Sequence, residues 1–167
     1  FVRDFWWPGT HEMCYQHYDG ATWAAPVGVY AGVSVHSPSV AWDRHDGLLF
    51  SWILDNTGLD PLLHTLLMTN HVAGPVRWRL GLPEVYDTSV CAMAPGVFAL
   101  LTQESEGGPT QELILRLGNG EVFYPRTRLN TAGDVAFPTL AVRYGRPELY
   151  AFWADYDGWS TAFGQYL

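Results

Sequence analysis

Short apolar runs alternate with turn residues along the whole chain, and equivalent runs return after about fifty residues. Ser39, Ser89 and Thr139 mark three of these runs and are spaced by fifty and fifty residues. A turn that contains glycine follows each run, and a second apolar run follows each turn. Short runs rich in β-branched and aromatic residues predict strands, and turn residues between them predict hairpins. We therefore expect repeated antiparallel units of four strands.

Each unit is predicted to hold its strands in one order, with the turn dipeptides Asp19-Gly20 and Asn119-Gly120 between third and fourth strands. The first strands are Ser37–Trp42, Thr88–Ala92 and Phe137–Val142, and the second are Val2–Trp6, Leu49–Ile53, Val97–Leu101 and Leu149–Trp153. The third strands are Met13–Tyr18, Leu63–Met68, Leu113–Leu117 and Thr161–Tyr166, and the fourth are Ala21–Trp23, Pro75–Trp78 and Glu121–Tyr124. Leu59–Met68 is the best candidate for a helix, but Pro61 and the match to the other third strands favour a strand.

With the strands assigned in this order, residues 1–167 are predicted to form a single repeat domain. The domain comprises a partial unit at 1–36, whole units at 37–87 and 88–136, and a partial unit at 137–167. A four-stranded sheet cannot cover both of its own faces, so each unit has to stack on a neighbour. The pattern predicts an all-β fold of the β-propeller type with about 3.5 blades. The units either form a small four-bladed ring with two short blades or belong to a larger ring that further residues or a second chain complete.

Composition narrows the class of ligand. Aromatic residues make up 15% of the chain, with eight Trp and nine Tyr, and such residues suit pleated sheets or surfaces that stack on sugar rings. The net charge of −8 argues against nucleic acid as a partner, because a phosphate-binding face has to be basic. No apolar stretch approaches the roughly eighteen residues that a membrane-spanning helix needs.

The cysteine, histidine and aspartate patterns favour structural roles, such as buried thiols and turns, over metal binding. Cys14 and Cys91 lie in apolar runs of different units, which favours buried thiols over a disulfide. The six His residues show no metal-ligand spacing and no Cys-x-x-Cys motif occurs, so we expect no metal, with a zinc site assembled across units as the alternative. Asp43 and Asp46 precede Gly47, which favours turn formation, with a calcium loop as the alternative. The chain begins at Phe1 instead of Met, which indicates processing, trimming or a larger parent chain.

Three segments carry a resemblance to a known family: the first and second strands of the 37–87 unit, residues 137–158, and residues 13–27. They resemble the repeats of bacterial sialidase-like propeller proteins, in which a blade opens with a Pro-Ser-hydrophobic-Ala strand and continues with Leu-Tyr-Ala-x-Trp. In that family the blade closes with Tyr-Asp-Gly-x-x-Trp before a proline, and Tyr18 to Trp23 follows this pattern. The segments are similar, at the same level, to propeller lectins, which bind sugars between neighbouring blades.

The resemblance implies non-catalytic binding of a carbohydrate or similar ligand, without a cofactor, by a protein outside the cell or at its surface. The incomplete terminal units predict a homo-oligomer or part of a larger ring. Aromatic rings would stack on the sugar while a few polar groups fix its orientation. The candidate ligand-binding residues are Trp6, Trp23, Arg77, Trp153, Asp155 and Trp159. For Trp23 its recurrence in the repeats favours a structural peg between blades over sugar stacking, and for Arg77 a solvated strand edge is favoured over a ligand contact.

Two other functions stay open. In the first, the protein is a structural or self-assembling surface protein whose incomplete terminal units pair with neighbouring chains. In the second, it is a sialidase-type glycoside hydrolase, which needs an arginine cluster, a tyrosine nucleophile with a glutamate partner, and a general acid. Arg126 and Arg128, like Arg77 and Arg79, alternate along a strand and share a face, but no arginine lies in a motif that matches the catalytic strands of that family.

Overall fold

The computed structural model of the chain describes residues 2–4, 11–55, 61–78, 84–106, 110–129, 134–143, 148–156 and 160–166. These residues form fifteen strands in four antiparallel sheets, and no helix occurs among them. The predicted all-β class is confirmed. The strand favoured over a helix at Leu59–Met68 is also confirmed. Leu62–Thr69 is a strand, and the pairs Trp52↔His64 and Ser51↔Thr65 join it to the strand Gly47–Leu54.

Each sheet is built from strands that follow one another along the chain. The first sheet contains β1 (Val2–Asp4), β2 (His11–Tyr15) and β3 (Val27–Gly32). The second contains β4 (Val35–Trp42), β5 (Gly47–Leu54), β6 (Leu62–Thr69) and β7 (Val72–Ala73), with β8 (Arg77–Trp78) also paired to β6. The third contains β9 (Glu84–Ala94), β10 (Val97–Ser105), β11 (Glu112–Gly118) and β12 (Thr127–Arg128). The fourth contains β13 (Asp134–Val142), β14 (Leu149–Tyr156) and β15 (Ser160–Tyr166).

The sheets stack face to face in chain order, and three apolar clusters fill the spaces between them. We call these spaces the first, second and third junctions. Met13 packs on Phe50 and Trp52 at the first junction. Leu49, Ile53 and Leu63 meet Val90, Phe98 and Leu100 at the second, and Ala99, Leu101 and Leu113 meet Val135, Leu140 and Leu149 at the third. Consecutive residues of β5 and β10 are therefore buried on both faces, as in any sheet that is covered on two sides.

Turn chemistry follows the fifty-residue interval. The side-chain Oδ1 of Asp19 accepts hydrogen bonds from two backbone amides, those of Ala21 and Thr22, each at 2.8 Å. Asn119 Oδ1 accepts from the amides of Glu121 and Val122 in the same way, at 3.0 and 2.8 Å. These turns need glycine next, because Gly20 and Gly120 have φ angles of 102° and 87°. The predicted turn dipeptides are confirmed.

The fourth strands begin later than predicted in two sheets. Ala21–Trp23 and Glu121–Tyr124 were expected to be strands, but each contains only one isolated bridge, Tyr18↔Trp23 and Gly118↔Phe123. Continuous pairing resumes at β3 and β12. Pro26 and Pro125 separate each bridge from the following strand, and a proline has no N–H to donate to the ladder.

The recurring serines of the first strands connect neighbouring sheets. Ser39 Oγ accepts a hydrogen bond from the Val90 amide at 3.0 Å, across the second junction. Ser89 Oγ accepts from the Leu140 amide at 3.0 Å, across the third junction. Each serine thus bonds the backbone of the residue fifty-one positions later. The interval seen in the sequence is a repeated contact between sheets as well as a repeated strand.

Two further features concern the architecture as a whole. The described residues do not close into a barrel or ring; they form an open stack of sheets. Among these residues we find no helix with the length and hydrophobicity that crossing a bilayer would require.

Candidate functional site

A concave pocket of about 420 Å³ opens where the first and second sheets meet at one end of their strands. We call it the histidine pocket, because three histidines line it together with an exposed tryptophan. Its lining residues are His17, Trp42, His45, Asp46, Leu48, Asn70 and His71. His17 comes from the chain that follows β2, while the others belong to β4, β5 and the turns of the second sheet. The pocket therefore exists only where two sheets come together.

The turn between β4 and β5 forms one wall of this pocket, and Asp43 determines its shape. The Asp43 carboxylate is buried, and its Oδ1 accepts hydrogen bonds from the amides of His45 and Gly47, both at 2.9 Å. Its Oδ2 accepts from the Gly96 amide of the third sheet, also at 2.9 Å. Burial alone would raise the pKa of Asp43, but these three hydrogen bonds and the nearby His45 outweigh burial and lower it. Asp43 thus forms the turn, as predicted, in its ionised state.

Trp42 supplies the aromatic surface of the pocket. Side chains alternate at the end of β4 and into the turn, so Ala41 and Asp43 are buried while Trp42 is 58% exposed. The sequence indicated only a structural strand position for Trp42, which was therefore not among the predicted site residues. The alternation of Val40 and Trp42 against Ala41 could have identified it, once the buried face of β4 was known.

Polar groups stand beside this ring. His45 Nδ1 lies 2.9 Å from Asp46 Oδ1. The hydrogen bond to Asp46 and the charges of Asp46 and Asp43 raise the pKa of His45, and desolvation opposes them. Asn70 and His71 form the turn between β6 and β7, with φ angles of 51° and 63°. The pocket therefore combines an open aromatic face with a carboxylate, an amide and imidazoles.

A second concavity, of about 280 Å³, lies between β2 and β4. We call it the Trp23 groove; its lining residues are Met13, Cys14, Tyr15, Gln16, Trp23, Pro38, Ser39, Val40 and Phe50. Trp23 is 66% exposed, and its ring centroid lies 5.1 Å from that of Tyr18. An indole this exposed is not enclosed between sheets, as a structural peg would be. Trp23 thus keeps a ring face that a ligand can reach.

Of the other predicted site residues, the structure describes the side chains of Arg77 and Trp153, and these two lie at different junctions. Arg77 Nη2 pairs with Glu121 Oε1 at 3.1 Å, which connects the second and third sheets. Trp153 packs in part against the apolar cluster of the third junction, and its buried Nε1 has no hydrogen-bond partner among the described residues. Asp155 lies in β14, but its side chain is outside the described part, as are Trp6 and Trp159. Participation of these residues in binding stays a prediction.

The arginine pair of the third sheet is occupied by carboxylates of the chain itself. Arg126 contacts Glu106 and lies 2.7 Å from Glu112 Oε2, while Arg128 Nη1 lies 2.7 Å from Glu112 Oε1. The hydrogen bond to Glu106 is the main reason that the pKa of Arg126 is raised. A ligand carboxylate would have to displace these partners to bind either guanidinium.

A charged cluster in the third sheet was not predicted. Glu104 has no exposed surface, Arg116 is 7% exposed, and Arg116 Nη2 lies 3.1 Å from Glu104 Oε2. Arg116 Nη1 also donates to Thr102 Oγ1 at 2.9 Å. The cluster lies inside the second junction, on the face that Phe98 and Leu100 share, so its groups pair with one another in the interior.

The described residues contain no group of three or more His, Cys, Asp and Glu side chains arranged to hold a metal ion. Cys14 and Cys91 are both buried as thiols and form no disulfide, as predicted. Burial raises the pKa of the Cys91 thiol to about 11, which leaves it protonated and unreactive near neutral pH.

Comparison of the chain with protein-family models and with curated protein sequences gives no match.

Proposed function

We propose that this chain binds a carbohydrate without turning it over, that its sheets are blades of a β-propeller, and that the histidine pocket is the binding site. One observation carries the proposal: the exposed ring of Trp42 stands beside Asp46 and Asn70 in a pocket between neighbouring sheets. The resemblance of the repeats to propeller lectins, which bind sugars between blades, supports this location. The same resemblance is the reason that we place the protein outside the cell.

The chemistry of the pocket suits a sugar. The apolar face of a pyranose ring stacks on an indole, and its hydroxyl groups need fixed donors and acceptors around the edge. Asp46 accepts hydrogen bonds, Asn70 both donates and accepts them, and the imidazoles of His17 and His71 complete the rim. A single site of this size gives modest affinity, so several copies acting together would be needed for tight binding to a glycan surface.

A glycan array with the folded protein tests this proposal, with Trp42→Ala as the key variant. We expect roughly tenfold or greater loss of affinity in this variant, since removal of the stacking ring costs more than about 1.4 kcal/mol. Thermal unfolding should change little, because Trp42 is mostly exposed.

Trp23→Ala is the matched control, since Trp23 is exposed to a similar extent but lines the other concavity. It should leave the affinity unchanged. Loss of binding in Trp23→Ala alone would move the site to the Trp23 groove. An array without signal, measured on folded protein, would remove the carbohydrate proposal.

Self-assembly is a second candidate function, and two exposed phenylalanines of the fourth sheet favour it. Phe137 is 67% exposed and Phe152 is 48% exposed, and both belong to paired strands of this sheet. Exposed aromatic patches of this kind often mark protein contacts. Sedimentation over a concentration series should show association that Phe152→Ser weakens; a monomer at all concentrations would exclude it.

A further inference from the structure

A further concavity, of about 270 Å³, lies beside the histidine pocket at the second junction. It opens between the hairpin turns of the second and third sheets, at the same end of the strands as the histidine pocket. We call it the turn groove. The residues of its lining that carry polar groups or shape its walls are Asp43, His45, Asp46, Thr69, Gly96 and Asn119.

The turn groove holds at the second junction the place that the histidine pocket holds at the first. Leu67 and Phe98 line the groove, and they stand fifty residues after His17 and Leu48 of the histidine pocket. The interval that relates the sheets therefore also relates the two concavities, which follow one another along one end of the stack.

The two concavities share a wall. His45 and Asp46 line both of them, so the turn between β4 and β5 separates one from the other. The side chains of these residues are 72% and 33% exposed, and a ligand can contact them from either side. A ligand that extends out of the histidine pocket over this turn enters the turn groove.

Hydrogen bonds fix the width of the groove. Asp43 Oδ2 accepts from the Gly96 amide at 2.9 Å, which connects the two sides. The Asn70 amide donates to the Asp46 carbonyl at 3.0 Å, which connects the two turns of the second sheet. A Cβ atom placed on Gly96 would meet no atom within 4 Å, so the space above that turn is open.

The polar groups of the groove suit sugar hydroxyls. Thr69 is exposed at the end of β6, and its hydroxyl both donates and accepts hydrogen bonds. Asn119 Oδ1 accepts from the amides of its own turn, which leaves its Nδ2 group to donate. The aromatic ring of Phe98 is fully buried, so this concavity offers hydrogen bonds where the histidine pocket offers stacking.

The sizes of the two concavities point the same way. Ligand sites commonly occupy roughly 300–1,000 Å³. The histidine pocket, at about 420 Å³, and the turn groove, at about 270 Å³, each lie near the lower end of this range. Joined over their common wall, they lie well inside it.

We propose that the ligand is an oligosaccharide that crosses the turn between β4 and β5, with one sugar unit in the histidine pocket and the next in the turn groove. This inference rests on the proposed function and names the class of ligand for that site. The unit in the groove bonds to Thr69 and Asn119, and Asp46 contacts the chain where it crosses the wall. The protein therefore selects for chain length as well as for the sugar that stacks.

A length series tests the proposal. The probes are oligomers of glucose, mannose, galactose and N-acetylglucosamine, each from one to four units, titrated into the whole chain by calorimetry. We expect the series that binds in a Trp42-dependent manner to gain about fivefold to tenfold in affinity on lengthening, the effect of one or two added hydrogen bonds.

Thr69→Trp is the key variant, because its larger side chain fills the groove. The ratio of the affinities for the four-unit and one-unit forms should fall to about one. Val72→Trp is the matched control, since Val72 pairs with Thr69, is 71% exposed and is not among the residues that line either concavity. It should keep the wild-type ratio. Circular dichroism and thermal melting establish that both variants fold.

Asn119→Asp is a second variant that changes chemistry with little change in shape. An aspartate makes the same turn at Asp19, where Oδ1 accepts from the amides of Ala21 and Thr22. The variant therefore keeps its turn but replaces the Nδ2 donor with an acceptor. We expect about a fivefold loss of affinity for the four-unit form.

Two results would overturn this proposal and leave the histidine pocket as a binding site. One is Trp42-dependent binding with equal affinity at every length. The other is a gain with length that Thr69→Trp and Asn119→Asp both preserve, which would mean that the chain leaves the pocket in another direction. No binding of any series by the folded protein would remove the proposed function together with this inference.

Discussion

At the first junction Trp52 stacks on His64, with ring centroids 5.6 Å apart, and Tyr30 packs against both rings. At the second junction the corresponding pair is Thr102 opposite Ile114, followed by the buried ion pair of Glu104 and Arg116. The strand register is the same in both sheets, since Trp52 pairs with His64 as Thr102 pairs with Ile114. One backbone repeat therefore accommodates either an aromatic or a charged interior.

The difference shows which constraints the repeat imposes. A buried face has to be filled, and every buried charge has to find a partner, but the chemistry of the filling is not fixed. Glu104 meets this condition through Arg116 and Thr102. A buried ion pair of this kind is weak evidence for stability, because desolvation offsets much of the attraction. The aromatic junction avoids that cost, although the buried Trp52 Nε1 has no hydrogen-bond partner among the described residues.

The largest effect is expected from Arg116→Ala, which leaves the buried Glu104 carboxylate with only the Thr102 hydroxyl and the guanidinium of Arg126, whose Nη2 lies 3.8 Å from Glu104 Oε2. We expect a loss of about 3–5 kcal/mol in the free energy of unfolding. Urea unfolding followed by circular dichroism measures it.

The matched control is the double change Glu104→Leu with Arg116→Leu, which installs the residues that β5 and β6 carry at Leu54 and Leu66. This variant should be as stable as the wild type or more so. A double variant as unstable as Arg116→Ala would mean that the second junction cannot accept the apolar filling of the first.

A smaller effect is expected from Ser89→Ala at the third junction. The change removes the hydroxyl that accepts from the buried Leu140 amide, at a cost of about 1–3 kcal/mol. Thr139→Ala alters the next member of the same series, which is exposed, and should stay within about 0.5 kcal/mol of the wild type. Similar losses in both variants would contradict the role of the serine as a contact between sheets.

The smallest expected effect is the loss of stability on acidification that His64 causes at the first junction. Burial lowers the pKa of His64, and the hydrogen bond to the Leu62 carbonyl only partly opposes it. The unfolded chain, with an ordinary value of about 6.5, therefore binds the proton more tightly. The contribution of His64 to stability is complete above about pH 6.5 and falls on acidification, by at most about 1.4 kcal/mol per pH unit. His64→Gln should reduce this slope between about pH 7 and pH 5; an unchanged slope would contradict the assignment.

The sequence predicted the first, second and third strands of the units, the turns and their interval because these depend on local chemistry, but it placed the fourth strands of two sheets too early. Asp19-Gly20 and Asn119-Gly120 form turns through hydrogen bonds to the backbone of the next few residues. Four residues of sequence are therefore enough to predict each turn. The burial of Thr102, Glu104 and Arg116 was not predictable in this way. Their polar types indicate a solvent face, and only the packing of the second sheet encloses them.

The candidate site was predicted less well for the same reason. Trp23 and Trp42 have exposed rings, although recurrence favoured a structural peg for Trp23, whereas Trp153 lies partly inside a junction. All three are tryptophans in strand or near-strand segments, and their local sequences do not distinguish them. Exposure depends on which face of a strand the neighbouring sheet covers, and that neighbour is about fifty residues away in the chain.

The carboxylate of Asp43 has a mechanical consequence for the whole stack. It accepts hydrogen bonds from two amides of its own turn and from the Gly96 amide in the turn between β9 and β10. The two hairpin turns are therefore joined to each other. The loop that carries His45 and Asp46 is thereby held in one conformation. A ligand that binds in the histidine pocket therefore loses less affinity to the ordering of this loop.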